Sequence, residues 1–226
     1  MTFLNLNHQP DADYRRKIIS TALDMNRLGI NQGKSGNVSA RITNGFLVTP
    51  TGIPYAETKP EQIVAMDMNG VHEGTILPSS EWRFHRDIYA SRPDVQAIVH
   101  THATFATTLA CMSREIPAFH YMIAAAGGDT IRCAPYATFG TQQLSNYAVT
   151  ALRDRMACLL AQHGMIAVGE SLDKALAVAV EVESLARMYW QILQVDPQPP
   201  ILSADEMKIV IEKFRTYGQQ SADAEK

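Results

Sequence analysis

The chain has 226 residues, of which 46% are hydrophobic and 19% are charged, which suits one domain or two small ones because domains typically have about 100–200 residues. A formal net charge of −3 argues against a protein that coats nucleic acid, and the lack of an apolar run of about 18 residues argues against a membrane span. The three cysteines form no CxxC pair, which is typical of reduced thiols in the cytoplasm. The N-terminus lacks the basic start and the apolar block of a signal peptide, which also favours a cytoplasmic location.

Apolar spacing and turn residues predict a helix followed by hairpins in the first third of the chain. After a polar, loose leader at residues 1–11, apolar residues recur at helical spacing from Asp13, and Gly29 offers a stop. Asn44-Gly45 lies between the segments VSARIT and FLVTP, which is a strong signal for a β-hairpin. Asn69-Gly70 repeats this pattern and predicts a second turn.

Helices and short strands alternate through the rest of the chain. Ser79 and Ser80 predict the N-cap of a helix over residues 81–90, and Ser171 predicts the N-cap of a long helix. Because hairpins are mixed with helices, we expect an α/β layered domain with a largely antiparallel sheet. Further strands are expected at 94–102, at 131–137 and on both sides of His163-Gly164, and further helices at 103–113, 118–128, 144–154 and 206–218.

Two histidines at the end of a predicted strand form the first candidate metal site. His100 and His102 are two residues apart, so in a strand both imidazoles point to the same face. Neutral nitrogens that converge on a rigid element suit a metal ion. An HxH pair alone is a weak signal, because two such histidines are more often polar core or surface residues.

His163 and Glu81 could complete this site. His163 follows an apolar run and precedes Gly164, which would let the backbone bend or approach closely; its alternative role is that of a packed, hydrogen-bonded residue. Glu81 lies near a predicted helix N-terminus, where a carboxylate also complements the helix dipole. With the histidines it would form a zinc-binding set that leaves room for a substrate. His85, one turn later, is expected only to pair with Glu81.

Three pairs of small polar residues could form a phosphate cradle. Glycines let backbone N–H groups approach an anion, and serines at a helix start aim hydroxyls and amides at one. Each pair alone is typical of an ordinary turn, so the prediction depends on the three pairs meeting in one pocket. The pairs are Gly36-Asn37, Thr51-Gly52 and Ser79-Ser80.

Two tyrosines could move a proton. A phenol has an unperturbed pKa of about 10, so Tyr121 or Tyr217 could donate a proton to an alkoxide at neutral pH. Most tyrosines are packing residues, however, and Phe139 is a core residue by default.

Motifs that extend from about residue 13 to residue 218 resemble the class II aldolase/adducin family. Several of them are long, so the resemblance does not depend on the HxH pair. The chain departs from the family pattern at Lys34, where a small residue is expected in the GKSGN loop, and in its extra leader before residue 13. The motifs are GINQG, SGNVS, VTPTGIPY, LPSSEWRFH, VHTHA, HYMIAAAGG, CAPYATFGT, QHGMIA and EKFRTYG.

The resemblance implies a single domain over residues 1–226, with a loose leader at 1–11 and a mobile tail at 218–226. The implied fold is a three-layer one, a central antiparallel sheet flanked by helices on both faces. The implied activity is that of a zinc-dependent aldolase in carbohydrate metabolism, such as fucose degradation. It would cleave L-fuculose 1-phosphate, or a similar ketose 1-phosphate, reversibly to dihydroxyacetone phosphate and L-lactaldehyde. The implied assembly is a homotetramer with active sites at subunit interfaces.

The resemblance also assigns roles to the candidate residues. Glu81 would be a zinc ligand at rest and the general base or acid once substrate displaces it. Tyr121 would enter from a neighbouring subunit and protonate the aldehyde oxygen, and Phe139 and Tyr217 would line the aldehyde side. One Zn²⁺ per subunit would be bound by His100, His102, His163 and Glu81. The substrate phosphate would be held by Gly36, Asn37, Thr51, Gly52, Ser79 and Ser80.

Two other functions on the same fold stay open. A ribulose-phosphate 4-epimerase, or another sugar-phosphate aldolase or dehydratase, would share the zinc set and differ on the aldehyde side. The HYMIAAAGG and CAPYATFGT motifs favour the aldolase. A metal-free binding module, as in adducin, would have no reason to keep three histidines and a glutamate.

Overall fold

A β-sheet of seven strands forms the centre of the computed structural model, which describes residues 9–215. Its strands are β1 (Asn37–Ile42), β2 (Gly45–Val48), β3 (Val64–Asp67), β4 (Ala97–Thr101), β5 (Cys133–Ala134), β6 (Ala157–Leu160) and β7 (Gly164–Gly169). They lie in the order β3-β2-β1-β4-β7-β6-β5. All neighbours are antiparallel except β5 and β6, which confirms the largely antiparallel sheet.

Helices cover both faces of the sheet, as expected. Successive strand residues point to opposite faces, so Val99 and Ala167 enter one apolar core whereas Ile98 and Val168 enter another. Within residues 9–215, no helix combines the length and the apolar character that a membrane crossing requires. The α-helices are α1 (Gln9–Arg27), α2 (Trp82–Ser91), α3 (Thr104–Cys111), α4 (Gln142–Ala151), α5 (Leu172–Leu193) and α6 (Ala204–Phe214).

The turn predictions are confirmed in their positions. Ile42 pairs with Gly45 across the first hairpin, and Met66 pairs with His72 across the turn at Asn69-Gly70. Ser171 caps α5, because its hydroxyl accepts a hydrogen bond from the Lys174 amide at 3.2 Å.

Several boundaries differ from the predictions. Helix α1 begins at Gln9, so the last part of the predicted loose leader is helical; residues 1–8 and the predicted tail lie outside the described residues. The strand expected at 131–137 is reduced to Cys133–Ala134. The segment HYMIAAAGG forms a 3₁₀ helix over Tyr121–Ala126, which Gly127 ends at φ +85°.

Candidate active site

Strand pairing brings the three histidines together. His100 lies near the end of β4, opposite Ile166 of β7. His102 follows the end of β4, and His163 immediately precedes β7. Because the two strands are antiparallel, the end of one adjoins the start of the other. One ligand atom from each histidine lies within 4.8 Å of those of the other two, so the predicted convergence is confirmed.

Gly164 is required by this close approach of β7 to β4. A Cβ atom at this position would lie 2.6 Å from the Thr101 carbonyl oxygen and 3.0 Å from Cδ2 of His102. Any side chain there would therefore push His163 away from the other two imidazoles. This is the close backbone approach that the His163-Gly164 pair predicted.

Glu81 reaches the histidines from the start of α2. It is the N-cap residue, so the predicted serine cap is wrong, and its side chain forms no capping hydrogen bond. Instead, its Oε2 lies 3.1 Å from Nε2 of His100 and its Oε1 lies 3.2 Å from Nε2 of His163. Ser79 Oγ accepts a hydrogen bond from the Glu81 amide at 3.3 Å and stabilises the turn that aims the carboxylate.

The imidazoles converge through their Nε2 atoms. His100 Nδ1 donates to the Met165 carbonyl oxygen at 2.9 Å, and His100 Nε2 lies 3.1 Å from His102 Nε2. Burial, reinforced by His100, lowers the pKa of His102 to about 4 and that of His163 to about 3. Both rings are therefore neutral at pH 7, as metal ligands must be.

The carboxylate completes a donor set that fits a divalent metal. Burial acts to raise the pKa of Glu81, but contacts with His100, His163 and Asn37 outweigh it and lower the pKa to about 2. Its buried Oε1 forms no hydrogen bond with any described residue, although a buried carboxylate oxygen normally has a partner. Three imidazoles and one carboxylate are ligands that suit Zn²⁺.

Behind Glu81 lie residues whose roles the sequence did not reveal. Asn37 Nδ2 donates to Glu81 Oε2 at 3.0 Å, and Asn37 Oδ1 lies 2.5 Å from His85 Nε2. The expected pairing of His85 with Glu81 is therefore wrong. The fully buried His85 contacts Asn37 and Ser39 instead, and burial lowers its pKa to about 3. The available signal was the spacing of Glu81, His85 and Tyr89 along one helix face.

The predicted phosphate loops are neighbours. Pro50 and Pro78 form an antiparallel bridge, which sets the turn at Thr51-Gly52 beside Ser79-Ser80. Lys34 Nζ donates to the Gly52 carbonyl oxygen at 2.6 Å, which connects the Gly36 loop to the same turn. The three loops thus adjoin one another, whereas their binding of phosphate stays a prediction.

The predicted phosphate residues differ in how accessible they are. Gly36 is buried, and a Cβ there would lie 2.5 Å from the His100 carbonyl oxygen, so packing alone requires a glycine. The side chain of Asn37 is engaged by Glu81 and His85. Ser79 is buried, and the residues that stay exposed are Thr51, Gly52 and Ser80.

A cavity of about 260 Å³ opens beside the cluster. It joins the predicted ligands to one predicted phosphate residue and one aldehyde-side residue. Its lining consists of Ser35, Ser80, Glu81, His102, Tyr136, Ala137, Phe139, Gln162 and His163. A larger groove of about 910 Å³ runs past Asn44 and Asn69 and contains none of the predicted ligands, so the smaller cavity is the candidate active site.

Among the described residues that line this cavity, Tyr121 is absent. Tyr121 is 49% exposed on its 3₁₀ helix, with its ring centroid 6.5 Å from that of Phe214. Tyr217 lies outside the described residues. Their predicted roles stay predictions, and that of Tyr121 requires a second subunit.

The chain matches the family model of the class II aldolase and adducin N-terminal domain over residues 16–190. The protein belongs to the class II aldolase/adducin family. The match includes every predicted metal ligand and every predicted phosphate residue, and all the motifs that carried the resemblance lie within it except EKFRTYG, which follows residue 190.

Relatives within the class II aldolase/adducin family cover nearly the whole chain. The chain is 55% identical over 203 residues to L-fuculose phosphate aldolase of Escherichia coli strain K12, covering 90% of this chain and 94% of that protein. It is 54% identical over 207 residues to 5-methylthioribulose-1-phosphate/5-deoxyribulose-1-phosphate aldolase of Rhodospirillum rubrum. This match covers 92% of this chain and 93% of that protein.

A solved structure in this family confirms the fold. A structure of L-fuculose 1-phosphate aldolase superposes with a TM-score of 0.87 at 39% identity, covering 90% of this chain and 96% of that one. The three-layer arrangement expected from the resemblance is therefore that of the class II aldolases.

Proposed function

We propose that this class II aldolase uses zinc to cleave the C3–C4 bond of a deoxyketose 1-phosphate reversibly. The products are dihydroxyacetone phosphate and a short aldehyde. The observation that carries the proposal is the convergence of His100, His102, His163 and Glu81 beside one cavity. A binding module would need no such set of three imidazoles and a carboxylate.

The reaction needs a positive charge at the substrate ketone. Cleavage of the C3–C4 bond leaves an electron pair on the carbon next to the ketone, and this charge must be stabilised. A metal held by the three histidines and Glu81 supplies Lewis-acid stabilisation of that charge. The protein's part is to hold the ligands close together on strands and a helix start, which the pairing of β4 with β7 achieves.

Glu81 is the group that moves a proton at carbon. Asn37 holds its Oε2, whereas Oε1, which forms no hydrogen bond with any described residue, would carry the proton once substrate displaces Glu81 from the metal. In the cleavage direction Glu81, having taken up a proton from solvent, delivers it to the carbon of the departing dihydroxyacetone phosphate. In the condensation direction it removes the same proton.

Tyr121 is the group that moves a proton at the aldehyde oxygen. In cleavage the C4 hydroxyl gives its proton to Tyr121, directly or through water, while Tyr121 passes a proton on to solvent; in condensation Tyr121 gives a proton to the new alkoxide and regains one from solvent. Because Tyr121 does not line the cavity of its own chain, this role requires a second subunit, and the assembly we propose is a homotetramer with active sites at the interfaces. Phe139, which is 65% exposed at the cavity, and Tyr217 would line the aldehyde side.

The phosphate would be bound by the three adjoining loops. Ser80 lines the cavity, and Thr51 and Gly52 are exposed beside it. Binding of the phosphate by these loops orients the ketone toward Glu81. Orientation of this kind can lower the activation free energy by several kcal/mol. Gly36, Asn37 and Ser79 would contribute through their backbone or remaining polar atoms.

The substrate we favour is L-fuculose 1-phosphate, whose cleavage gives L-lactaldehyde. A second candidate is 5-deoxyribulose 1-phosphate, because a relative of nearly equal identity is named for it and for 5-methylthioribulose 1-phosphate. All three share the carbons that become dihydroxyacetone phosphate. They differ only in the aldehyde, and Phe139 and Tyr136, which line the cavity, would face the part that varies.

A substrate panel with the zinc-loaded protein tests the proposal. We expect release of dihydroxyacetone phosphate from the three ketose 1-phosphates, fastest from L-fuculose 1-phosphate, and no epimerisation of L-ribulose 5-phosphate. Faster cleavage of 5-deoxyribulose 1-phosphate would select the second candidate. Epimerisation without cleavage would contradict the aldolase, and the absence of both activities and of bound metal would indicate a binding module.

A further inference from the structure

A continuous chain of buried hydrogen bonds runs from the Glu81 carboxylate into the space between α2 and β1. Asn37 Nδ2 contacts Glu81 Oε2 at 3.0 Å, and Asn37 Oδ1 contacts His85 Nε2 at 2.5 Å. His85 Nδ1 contacts Ser39 Oγ at 2.6 Å, and Ser39 Oγ contacts Tyr89 OH at 2.8 Å. All five side chains are buried, so water does not compete for these bonds.

Two regular elements place these five residues. Asn37 and Ser39 are two apart on β1 and therefore share one face of the strand. Glu81, His85 and Tyr89 are spaced by four and therefore share one face of α2. The two faces meet along their polar residues, within a core that is otherwise apolar.

The direction of each hydrogen bond follows from the ends of the chain. Asn37 Nδ2 donates to the Glu81 carboxylate oxygen Oε2, so the amide oxygen of Asn37 faces His85. An amide oxygen only accepts, and His85 Nε2 must therefore carry a proton. Nδ1 of the neutral ring then accepts from the Ser39 hydroxyl, and Ser39 in turn accepts from Tyr89.

We propose that His85, as the tautomer protonated at Nε2, is a positioning residue for Glu81 that acts through Asn37. Its N–H fixes the orientation of the Asn37 amide, so that the amide N–H faces the carboxylate. A flipped amide would set its oxygen against Glu81 Oε2, and the carboxylate would turn away from that position. The proposal rests on the role of Glu81 as the base in the proposed function.

This arrangement also limits what Asn37 can do for a substrate. Both polar atoms of its side chain have buried partners. Only its second amide hydrogen and its backbone are left for a phosphate. Asn37 is therefore first a support for Glu81, and Ser80 and the Thr51-Gly52 turn are the more accessible phosphate groups.

Two substitutions of His85 separate positioning from packing. In His85→Gln the side-chain amide nitrogen can occupy the place of Nε2 and donate to Asn37, whereas the side chain of His85→Asn is too short to do so. The assay is deuterium exchange into dihydroxyacetone phosphate by the zinc-loaded protein, because exchange uses Glu81 but needs no aldehyde. Zinc content and KM are measured alongside.

The expected result is a split between the two variants. We expect His85→Asn to lower the exchange kcat by about tenfold or more and His85→Gln to stay within about threefold of wild type. Zinc content and KM should change less than about twofold in both variants. Equal losses in the two variants, or losses of kcat, KM and zinc together, would overturn the positioning role. His72→Gln, which lies outside the hydrogen-bond chain, controls for the loss of an imidazole.

The tautomer of His85 tests the proposal even if a variant does not fold. Nitrogen-15 NMR of the histidine-labelled, zinc-loaded wild-type protein should show His85 protonated at Nε2 and unprotonated at Nδ1. Protonation at Nδ1 alone would overturn the proposal. A wild-type protein that exchanges no proton would contradict the proposed function, whereas the tautomer decides the orientation of Asn37 independently.

Discussion

Asn37 and His100 are paired directly across the neighbouring strands β1 and β4. This pairing sets both side chains against the same carboxylate oxygen, because Glu81 Oε2 lies 3.0 Å from Asn37 Nδ2 and 3.1 Å from His100 Nε2. The register of the sheet thus sets two of the contacts of Glu81, the proposed base, one of them with the proposed metal ligand His100. Sites on regular elements are held more precisely than sites on loops.

His102→Ala should abolish stoichiometric zinc binding. The side chain supplies one imidazole of the cluster and is half-buried at the end of β4, so its removal takes away a ligand and leaves the core intact. We expect elemental analysis to find less than about 0.1 zinc per subunit, since structural and catalytic zinc sites need three or four protein ligands. His72→Ala is the matched control and should keep one zinc. Equimolar zinc in His102→Ala would count against the assignment.

Glu81→Gln should separate metal binding from proton transfer. The amide oxygen can still face the histidines, but the group can no longer accept a proton. We expect zinc to be retained at reduced affinity, and deuterium exchange into dihydroxyacetone phosphate to fall about 10²- to 10⁴-fold. The exposed Glu73 provides the control variant Glu73→Gln. Undiminished exchange in Glu81→Gln would show that another group is the base.

Tyr121→Phe should slow aldol turnover far more than proton exchange. Exchange needs no aldehyde, whereas turnover requires a proton at the aldehyde oxygen. We expect turnover to fall by about 10²-fold or more and exchange to stay within about threefold of wild type. Tyr14, which is 47% exposed against 49% for Tyr121, gives a matched control in Tyr14→Phe. Equal losses of both activities would mean that Tyr121 is structural.

Lys34→Met should weaken binding of the phosphorylated substrate. The exposed ammonium group bonds the Gly52 carbonyl, next to the turn predicted to bind phosphate. A cation in this place favours a phosphate dianion, so we expect KM to rise roughly three- to tenfold while kcat changes less than about twofold. Lys59→Met, at another exposed lysine, controls for a general loss of charge. An unchanged KM and an unchanged salt dependence would remove Lys34 from the phosphate site.

The histidine cluster was predictable because most of its geometry follows from local sequence patterns. The period of a strand places His100 and His102 on one face, and Gly164 marks the close approach beside His163. The Asn44-Gly45 turn likewise specifies its own hairpin. That His163 joins the other two histidines came from the family resemblance rather than from any local pattern, and the pairing of β4 with β7 is what brings it there.

The support behind Glu81 could not be predicted in the same way. The bonds of Asn37 and Ser39 to His85 join residues 48 and 46 positions apart, and they exist only because β1 packs against α2. From spacing alone, His85 was assigned to Glu81, its neighbour by one turn. The serine cap was wrong because Glu81 is the N-cap residue, and its side chain contacts His100 instead of capping the helix.

The most direct test of the account is the position of the metal itself. Anomalous diffraction at the zinc edge from crystals of the zinc-loaded protein should show one strong peak per subunit. It should lie roughly 2.0–2.2 Å from an imidazole nitrogen of each of His100, His102 and His163 and from the Glu81 carboxylate. A peak that avoids these side chains, or none between them at saturating zinc, would contradict the account.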